Sequence, residues 1–359
     1  MPRLFDPITL RDLTLRNRVA MAPMCQYSAG PDGRATPWHL MHLGARAAGG
    51  VGLVITEATA VEARGRISPN DLGLWDDAQI EPLQRVTELV RAQGAALAVQ
   101  LAHAGRKAST HRPWASARGA VGPEGGGWTD VVGPTDAPFS SALHAPRPLD
   151  EAGIGEVVRA FAEAARRADA ATADAVEIHA AHGYLLHSFL SPLVNTRSDA
   201  YGGTFDGRTR LLHDVVRAVR DVWPAHKPLL VRVSATDWVP GGWSDDDTVR
   251  LAGELAGLGV DLVDCSSGGA VPDVRVPVEP GYQVRFAERV HREAGVASGA
   301  VGRIDAASHA DAIVRDGRAD VVLLGKALLR DPHWALHAAE SLGVANAQRW
   351  PVAYGWAVG

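Results

Sequence analysis

Residues 229–233, Leu-Leu-Val-Arg-Val, begin the stretch of sequence that decides the fold class. An amphipathic helical pattern follows over Asp245–Leu258, and a second apolar run covers Val260–Cys265. Both runs are nearly continuous in apolar character, which is typical of parallel strands buried on both faces. The stretch therefore predicts a strand–helix–strand unit of a parallel sheet.

The same pattern extends along the whole chain. Eight apolar runs predict strands at Val19–Met24, Val51–Ile55, Ala96–Leu101, Ala175–Ile178, Leu229–Val233, Val260–Cys265, Val296–Ala300 and Asp320–Leu324. Helical patterns separate most of them, at Glu81–Gln93, Glu151–Ala168, Arg208–Val222, Asp245–Leu258, Tyr282–Ala294 and Asp305–Arg315. Glycines stand where helix C-caps are expected, at Gly94, Gly259, Gly295 and Gly317. Because eight such units close a barrel, the sequence predicts an α/β fold, a (β/α)8 TIM barrel.

An open doubly wound sheet is the alternative with the same alternation of elements. It predicts a Gly-rich G-x-G-x-x-G turn after its first strand. The chain reads Cys25-Gln26-Tyr27-Ser28 at that point, so we favour the barrel.

Three segments account for the length beyond the roughly 250 residues of a typical barrel. Phe5–Arg18 predicts an N-terminal hairpin whose leucines cover the barrel bottom. Residues 104–148 leave the third strand and are rich in Gly, Pro and Trp, so we expect a cap over the barrel mouth. Residues 342–359 form a C-terminal tail whose Trp350, Tyr354 and Trp356 are expected to dock on a surface. We expect residues 1–359 to form a single domain.

The composition restricts the class of function. The 359 residues are 46% hydrophobic and 21% charged with a net charge of −5, which excludes a disordered chain and gives no sign of a nucleic-acid-binding surface. The two cysteines exclude a disulfide scaffold and a Cys-rich metal site. No apolar run approaches the roughly 18–20 residues of a membrane span, and the start of the chain lacks the apolar core of a secretory signal. We therefore expect a cytoplasmic enzyme without membrane or nucleic-acid partners.

Active sites of such barrels lie at the carboxyl ends of the strands. Polar and titratable residues are concentrated at these ends, taken from the first strand to the eighth: Cys25, Tyr27; Glu57, Ala58; Gln100, His103, Arg106, Lys107; His179, His182, Tyr184; Arg232, Asp237; Ser266, Ser267, Gly268; Gly299, Gly302; Gly325, Lys326. The sequence therefore predicts an active site at this end of the barrel.

The last two strands end in turns that contain glycine, Ser298–Gly302 and Leu324–Lys326. Glycine lets backbone N–H groups approach an anion closely, and phosphate sites of this fold commonly follow strands seven and eight. Each glycine on its own is equally consistent with a tight turn. Both turns together, with the charge of Lys326, favour a phosphate site.

The segment His179-Ala180-Ala181-His182-Gly183-Tyr184 carries the densest chemical signal. Two imidazoles can donate hydrogen bonds to a carbonyl or nitro oxygen, and a tyrosine that keeps its proton at neutral pH is a suitable general acid. Structural histidines that cap the strand are one alternative. A zinc site is another, although the chain lacks H-E-x-x-H and an evident third ligand.

Three further strand residues leave alternatives open. A buried Arg232 needs a partner, either an anionic ligand if it faces the barrel axis or an ordinary ion pair if it faces outward. Gln100 must be hydrogen-bonded if it is buried. Cys25 is either a nucleophile or, more commonly for a lone cysteine, a small buried hydrophobe.

The motifs together resemble the Old Yellow Enzyme family of FMN-dependent ene-reductases, in particular its thermophilic-like bacterial subclass. The resemblance runs essentially end to end and rests on Ala22–Ser28, Gln100–Lys107, His179–Tyr184, Phe189–Pro192, Tyr201–Gly203, Val231–Ser234 and Leu323–Lys326. Each motif alone is weak, whereas their joint order along eight predicted strands is specific.

The resemblance implies a role for each matching position. The flavin ring would be held by Ala22, Pro23, Met24, Ala58, Gln100 and Arg232, with Cys25 nearby tuning its redox behaviour without acting as a nucleophile. The phosphate would be held by Gly302, Gly325 and Lys326. The substrate oxygen would be bound by His179 and His182, with Tyr27 lining the pocket and Tyr184 supplying a proton.

The implied reaction is ping-pong. NADPH, or less readily NADH, reduces FMN, which then passes hydride to the β-carbon of an α,β-unsaturated carbonyl or nitro compound, and Tyr184 protonates the α-carbon. A homodimer or homotetramer is implied. Two positions depart from the family pattern, because Lys326 stands in place of the usual arginine and the tail reads Tyr354-Gly355-Trp356, without the arginine that often reaches a neighbouring subunit's site.

Other functions remain as alternatives at this point. Flavin dehydrogenases of amines or dienoyl thioesters share a similar barrel, but they carry additional C-terminal domains and a Cys-rich cluster. A metal-dependent barrel hydrolase or lyase would use His179 and His182 as ligands. A flavin- or phosphate-binding protein without turnover is the third alternative.

Overall fold

A computed structural model describes Met1, residues 3–344 and residues 350–358 of the chain. Residues 345–349 and 359 of the predicted tail lie outside this described part.

Thirteen strands are present in the described residues. They are β1 (Ile8–Leu10), β2 (Leu13–Leu15), β3 (Val19–Met21), β4 (Leu53–Ile55), β5 (Thr59–Ala60), β6 (Ala96–Ala102), β7 (Val132–Gly133), β8 (Arg147–Pro148), β9 (Ala175–Ala180), β10 (Leu229–Ser234), β11 (Leu262–Ser266), β12 (Ala297–Ala300) and β13 (Val321–Leu324). Eight of them pair in parallel in the order β4-β3-β13-β12-β11-β10-β9-β6, and β4 pairs again with β6 to close the ring. The predicted barrel is confirmed, since each predicted run overlaps one barrel strand.

Helices surround the barrel. They are α1 (Pro37–Ala48), α2 (Ile80–Ala92), α3 (Glu151–Ala170), α4 (Leu185–Leu190), α5 (Phe205–Val222), α6 (Asp245–Gly257), α7 (Val284–Arg289), α8 (Ala307–Arg315), α9 (Lys326–Arg330), α10 (Trp334–Ser341) and α11 (Gly355–Val358). The four predicted C-cap glycines have φ between 66° and 87°, a conformation that residues with a side chain rarely adopt.

Helix α1 has no counterpart in the sequence prediction. Pro37 occupies its first turn, where a missing N–H costs nothing, and Leu43 and Ala47 are buried on one of its faces. These two signals identify the helix, but they lie in a stretch dominated by the strand-end residues that precede it.

The bottom of the barrel is filled with apolar side chains. Leu230 belongs to this interior cluster, whereas its neighbours Leu229 and Val231 pack against the outer helices, as the alternation along a strand requires. Leu10 and Leu15 of the β1–β2 hairpin belong to the same interior cluster, and Leu15 is only 1% exposed. The hairpin therefore closes the barrel bottom, as predicted.

The long insertion after β6 lies at the opposite, carboxyl end of the strands. Its Ala104, Ala108 and Val131 form a buried cluster with Ala58 and Ala102, which leave β4 and β6. A short parallel pair joins β7, in the second half of the insertion, to β8 at its end.

The described part of the tail contacts the last long helix. Trp350 stacks on His333 with ring centroids 5.3 Å apart and donates its indole N–H to Glu340 at 2.8 Å. Tyr354 and Trp356 are 51% and 88% exposed within this chain. Among the helices of the described residues, none is long and apolar enough to cross a membrane.

Candidate active site

A polar layer lies directly above the apolar filling of the barrel. Gln100 donates its amide N–H to Glu177 at 2.7 Å, so the buried amide is hydrogen-bonded as expected. Arg232 alternates with Leu230 and so faces the interior, and its Nε lies 2.9 Å from Asp264 Oδ2. The two partners considered for Arg232 are therefore not exclusive, because the residue faces the axis and also forms an ion pair.

The carboxyl groups of this layer are strongly perturbed. Burial and the neighbouring Asp264 raise the pKa of Glu177, and Arg232 opposes that rise. Burial likewise raises the pKa of Asp264. The layer therefore holds one arginine and two carboxyls that compete for its charge, in a region that excludes water.

Three side chains from the end of β9 meet at the barrel mouth. The ring centroid of His179 lies 5.2 Å from that of His182 and 5.1 Å from that of Tyr184, and both pairs are edge to face. The rings of His182 and Tyr184 are 6.5 Å apart. The structure therefore brings together the three residues that the sequence singled out as donors.

Their surroundings fix the protonation state of all three. Burial, followed by the charge of Arg232, lowers the pKa of both His179 and His182 well below the usual range, so both rings are neutral. The His179 Nδ1 accepts the N–H of Ala181 at 3.3 Å, which leaves the proton on Nε2. Burial, with Cys25 and Asp71, raises the pKa of Tyr184, so its phenol stays protonated.

The turn that carries these residues is built by an unusual backbone. His182 and Gly183 both have positive φ, 60° and 72°. A Cβ on Gly183 would lie 1.9 Å from the carbonyl oxygen of Gly269, so only glycine fits against the turn after β11. Lys107 joins the two turns, donating from Nζ to the carbonyls of His182 and Gly269, both at 2.7 Å. Burial, then Arg106, lowers the pKa of Lys107 to about 7.

A second buried histidine supports the same turn and was missed from the sequence. The His187 Nδ1 accepts the N–H of Gly183 at 2.8 Å, and its Nε2 lies 3.1 Å from Asp237 Oδ1. Both side chains are 0% exposed. The prediction considered only residues that leave strands, whereas His187 lies in the first turn of α4. Its spacing of four from Gly183 is the available signal.

The end of β3 contributes Cys25 and Tyr27, which a buried pair holds in place. Glu57 accepts the N–H of Gln26 at 2.8 Å, and its other oxygen lies 3.0 Å from His39 Nε2. Burial, with Asp71 and Glu57, raises the pKa of Cys25, so it is a neutral thiol rather than a nucleophilic thiolate. Tyr27 packs against the cap residue Trp114, with ring centroids 5.5 Å apart.

A cavity of about 410 Å³ lies at the ends of β12 and β13. Gly302, Gly325 and Lys326 line it, so the structure brings the three predicted phosphate residues together. A Cβ on Gly302, whose φ is 120°, would lie 2.8 Å from Gln283 Nε2. Two further cations line this cavity and were missed from the sequence, Arg303 and Arg330.

The remaining predicted ring-binding residues lie between these two clusters. Ala22 donates its N–H to Leu324 at 3.0 Å, and a Cβ on Gly325 would lie 3.6 Å from Met24 Sδ, so the ends of β3 and β13 adjoin. Ala58 lines a small crevice together with Tyr184. Pro23 is half-buried between Ala22 and Met24.

One predicted strand-end residue is separate from the site. His103 is buried beneath the cap, with Nε2 3.1 Å from Glu62 Oε2 and Nδ1 accepting the N–H of Gly105. Its role is to anchor the start of the insertion. Within the described ranges, no group of three or more His, Cys, Asp or Glu side chains has the arrangement of a metal site.

Known proteins are similar to this chain in sequence and in fold. The sequence profile of the NADH:flavin oxidoreductase / NADH oxidase family matches residues 3–344. An NADPH dehydrogenase of Geobacillus sp. (strain WCH70) is 45% identical over 98% of this chain and 98% of its own. Morphinone reductase, solved in complex with tetrahydroNAD, is 30% identical with a TM-score of 0.79 over 98% of this chain and 93% of its own. A 2-naphthoyl-CoA reductase at 24% identity has a TM-score of 0.84 over 96% of this chain but only 52% of its own, and shows the fold alone.

Proposed function

The chain belongs to the NADH:flavin oxidoreductase / NADH oxidase family and is an FMN-dependent oxidoreductase, and we propose that it is an ene-reductase that uses NADPH. Its proposed substrates are α,β-unsaturated carbonyl and nitro compounds. One observation carries this proposal: two neutral imidazoles and a protonated phenol converge at the barrel mouth. Such donors suit a substrate in which negative charge develops on oxygen and then on carbon.

The residues at the barrel mouth fit FMN. A Cβ at Gly302 would lie 2.8 Å from Gln283 Nε2 in the wall of the cavity. Three cations line the cavity and Arg330 among them is paired with Asp305 at 2.9 Å, so the lining carries a net positive charge that is suitable for a phosphate. The interior offers an arginine and an amide to polar ring atoms. We propose that the phosphate is held by Gly302, Gly325 and Lys326, and the ring by Ala22, Pro23, Met24, Ala58, Gln100 and Arg232.

FMN, when bound, supplies the hydride that it takes from NADPH. The contribution of the chain to the chemistry begins with the substrate oxygen. We assign His179 Nε2–H as one donor to that oxygen. For His182, Ser266 Oγ lies 2.7 Å from Nε2, and if it donates there the neutral ring carries its proton on Nδ1, the second donor. Because both imidazole rings are neutral, they polarise the substrate oxygen through hydrogen bonds and do not form an ion pair with it.

Tyr184 is the proposed acid for the α-carbon. Its raised pKa keeps the proton in place until a strongly basic carbon forms in the closed site. Tyr27 packs against the same buried cluster as Tyr184, and Trp114 of the cap packs on Tyr27, so the rings of Tyr27 and Trp114 would restrict the shape of the substrate. Cys25, as a neutral thiol, would adjust the polarity near FMN without forming a covalent bond.

We also propose an oligomeric state and a cellular location for the protein. The exposed Tyr354 and Trp356 support a homodimer or homotetramer in which the tail contacts another copy of the chain. Sedimentation of the purified protein tests this assembly, and a monomer would contradict it. The composition supports a cytoplasmic location.

The decisive experiment is a visible spectrum of the purified protein before and after anaerobic NADPH. We expect flavin absorbance that NADPH removes and that cyclohexenone then restores, which reports both half-reactions in one cuvette. Protein that stays colourless after incubation with FMN would overturn the flavin site and direct attention to metals. Bound FMN that NADPH does not reduce would leave a binding protein without turnover.

A further inference from the structure

A buried carboxyl group, Asp71, lies beside the proposed acid and has no part in the reaction described above. Its side chain is buried, with the residue 1% exposed. One oxygen, Oδ2, accepts the N–H of Ile67 at 2.6 Å. The other, Oδ1, is buried and finds no hydrogen-bond partner among the described residues. Such an orphaned oxygen calls for an explanation, because buried polar atoms are nearly always paired.

Asp71 and Tyr184 line the same crevice. The other residues around it are small or apolar: Ala58, Ala60, Gly65, Ile67, Ala102 and Ala104. Asp71 and Tyr184 are therefore the two proton-carrying groups on its walls. The crevice lies beneath the cap, because Ile67, Ala102 and Ala104 belong to the buried cluster that the cap forms with the strand ends.

The surroundings of Asp71 favour its neutral form. Burial, then the charge of Glu57, raises the pKa of Asp71 well above its usual range. The backbone N–H groups of Ile67 and Ser68 and the guanidinium of Arg66 oppose this rise but are outweighed. When Asp71 is a carboxylate, its charge in turn raises the pKa of Cys25, Tyr27 and Tyr184.

We propose that Asp71 returns the proton that Tyr184 loses in each turnover. When Tyr184 has protonated the α-carbon, Asp71 turns its unpartnered oxygen across the crevice to the phenolate, because the two side chains are not hydrogen-bonded in the structure. The O–H bond of the carboxylic acid then breaks, and a new O–H bond forms on Tyr184. Asp71 is left as a carboxylate and regains a proton from solvent water before the next cycle. No electrons move in this step. The proposal rests on the proposed function, because it requires Tyr184 to give up its proton to a substrate.

The test compares Asp71→Asn with the wild-type holoenzyme. Asparagine keeps an oxygen for the Ile67 N–H but has no acidic proton. We expect unchanged reduction of FMN by NADPH, a normal first turnover with cyclohexenone, and steady-state turnover lowered about 10²-fold, the lower end of the range for losing a general acid. Asp77→Asn, the same chemical change at an exposed neighbour, serves as the matched control and should retain full activity.

A nitroalkene separates the relay from a general disturbance of the site. Its hydride-transfer product, a nitronate, is a stable anion that does not require immediate protonation. Asp71→Asn should therefore reduce it at the wild-type rate. Equal losses with the enone and the nitroalkene, or slowed FMN reduction, would overturn the relay and leave Asp71 a structural residue.

Infrared spectroscopy gives a readout that does not depend on turnover. The wild-type minus Asp71→Asn difference spectrum at neutral pH should contain the C=O band of a protonated carboxylic acid, and its absence would refute the proposal. If Asp71→Asn does not accumulate as folded protein, Asp71→Ser removes the acid without adding volume. Unimpaired enone turnover in Tyr184→Phe would refute the proposed function itself, whereas an impaired Tyr184→Phe beside a normal Asp71→Asn would refute only the relay.

Discussion

The two ends of the barrel are built from the same eight strands and differ in almost every other respect. At the bottom, Leu10 and Leu15 of the hairpin pack on alanine and leucine side chains of the strands, and every inward position is apolar. At the top, the next inward positions of β6, β9, β10 and β11 are Gln100, Glu177, Arg232 and Asp264, followed by the histidines. One end thus holds side chains that gain free energy from burial, and the other holds groups whose burial is unfavourable.

This difference shows that the bottom of the barrel contributes mainly to folding stability, whereas the top contributes the reactive groups. Burial of polar groups at the top is what shifts their pKa values, since each shift there has burial as its largest cause. The apolar packing at the bottom compensates for that unfavourable burial. Substitutions at the two ends should therefore affect different measurements.

The largest effect is expected at the top, in Tyr184→Phe. Without the phenolic proton, enone turnover should fall about 10²–10⁴-fold, the range for loss of a general acid. The melting temperature should hardly change, because the ring remains. Stopped-flow measurement of the two half-reactions checks this, and a loss confined to the NADPH step would contradict the assignment.

At the bottom, Leu15→Ala should have the reverse signature. Removing a fully buried leucine is expected to lower the free energy of unfolding by about 2–5 kcal/mol. Turnover at temperatures where the variant is folded should equal that of the wild type. Denaturant unfolding measures the loss, with Thr14→Ala on the exposed face of the same strand as the control, expected within about 0.5 kcal/mol of wild type. A variant as stable as wild type would show that the hairpin is not part of the core.

A smaller effect is expected at the phosphate cavity, in Lys326→Ala. Loss of one charged hydrogen bond is worth about 1.5–3 kcal/mol, so FMN should bind roughly 10- to 150-fold more weakly. Fluorescence titration of the apoprotein with FMN measures this change. Lys326→Arg should bind at least as tightly as wild type, because a guanidinium can contact phosphate with two N–H groups. Unchanged affinity in Lys326→Ala would transfer the role to Arg303 and Arg330.

The smallest effect within any one pH unit is a pH dependence of stability from Lys107. Its pKa is lowered to about 7 in the fold from 10.5, so between these values the unfolded chain binds more protons than the folded chain. Stability should therefore rise with pH across this window, by at most about 1.4 kcal/mol per pH unit. Denaturation midpoints of wild type and Lys107→Met above pH 7 test this, and a difference between them that does not change with pH would contradict it.

The sequence by itself determined the fold and its family. Nearly continuous apolar runs at a regular spacing specify buried parallel strands, because local patterning and burial on both faces are encoded residue by residue. The hairpin, the cap and the C-cap glycines were also predictable. Helix α1 was missed because its N-terminal signals follow directly on strand-end residues that drew a different interpretation.

The candidate site was predictable where its residues leave strands and not elsewhere. The sequence identified His179, His182 and Tyr184, because the barrel sends every strand end to one mouth. It did not identify Asp71 or His187, which come from a turn and a helix that only the tertiary packing brings there. It also left the partner of Arg232 open, since the ion pair with Asp264 depends on the register of two neighbouring strands.

Protonation was likewise decided only by the tertiary structure. Nothing in the order of residues indicates that burial lowers the pKa of Lys107 to about 7. Lys227, by contrast, is partly exposed and lies 2.7 Å from Asp169. The physical reason is that patterning acts through nearest neighbours along the chain, whereas desolvation and charge depend on every atom within a few ångströms in space. The sequence determined which groups this protein brings to its barrel mouth, and the packing around them decided which of those groups carry a proton.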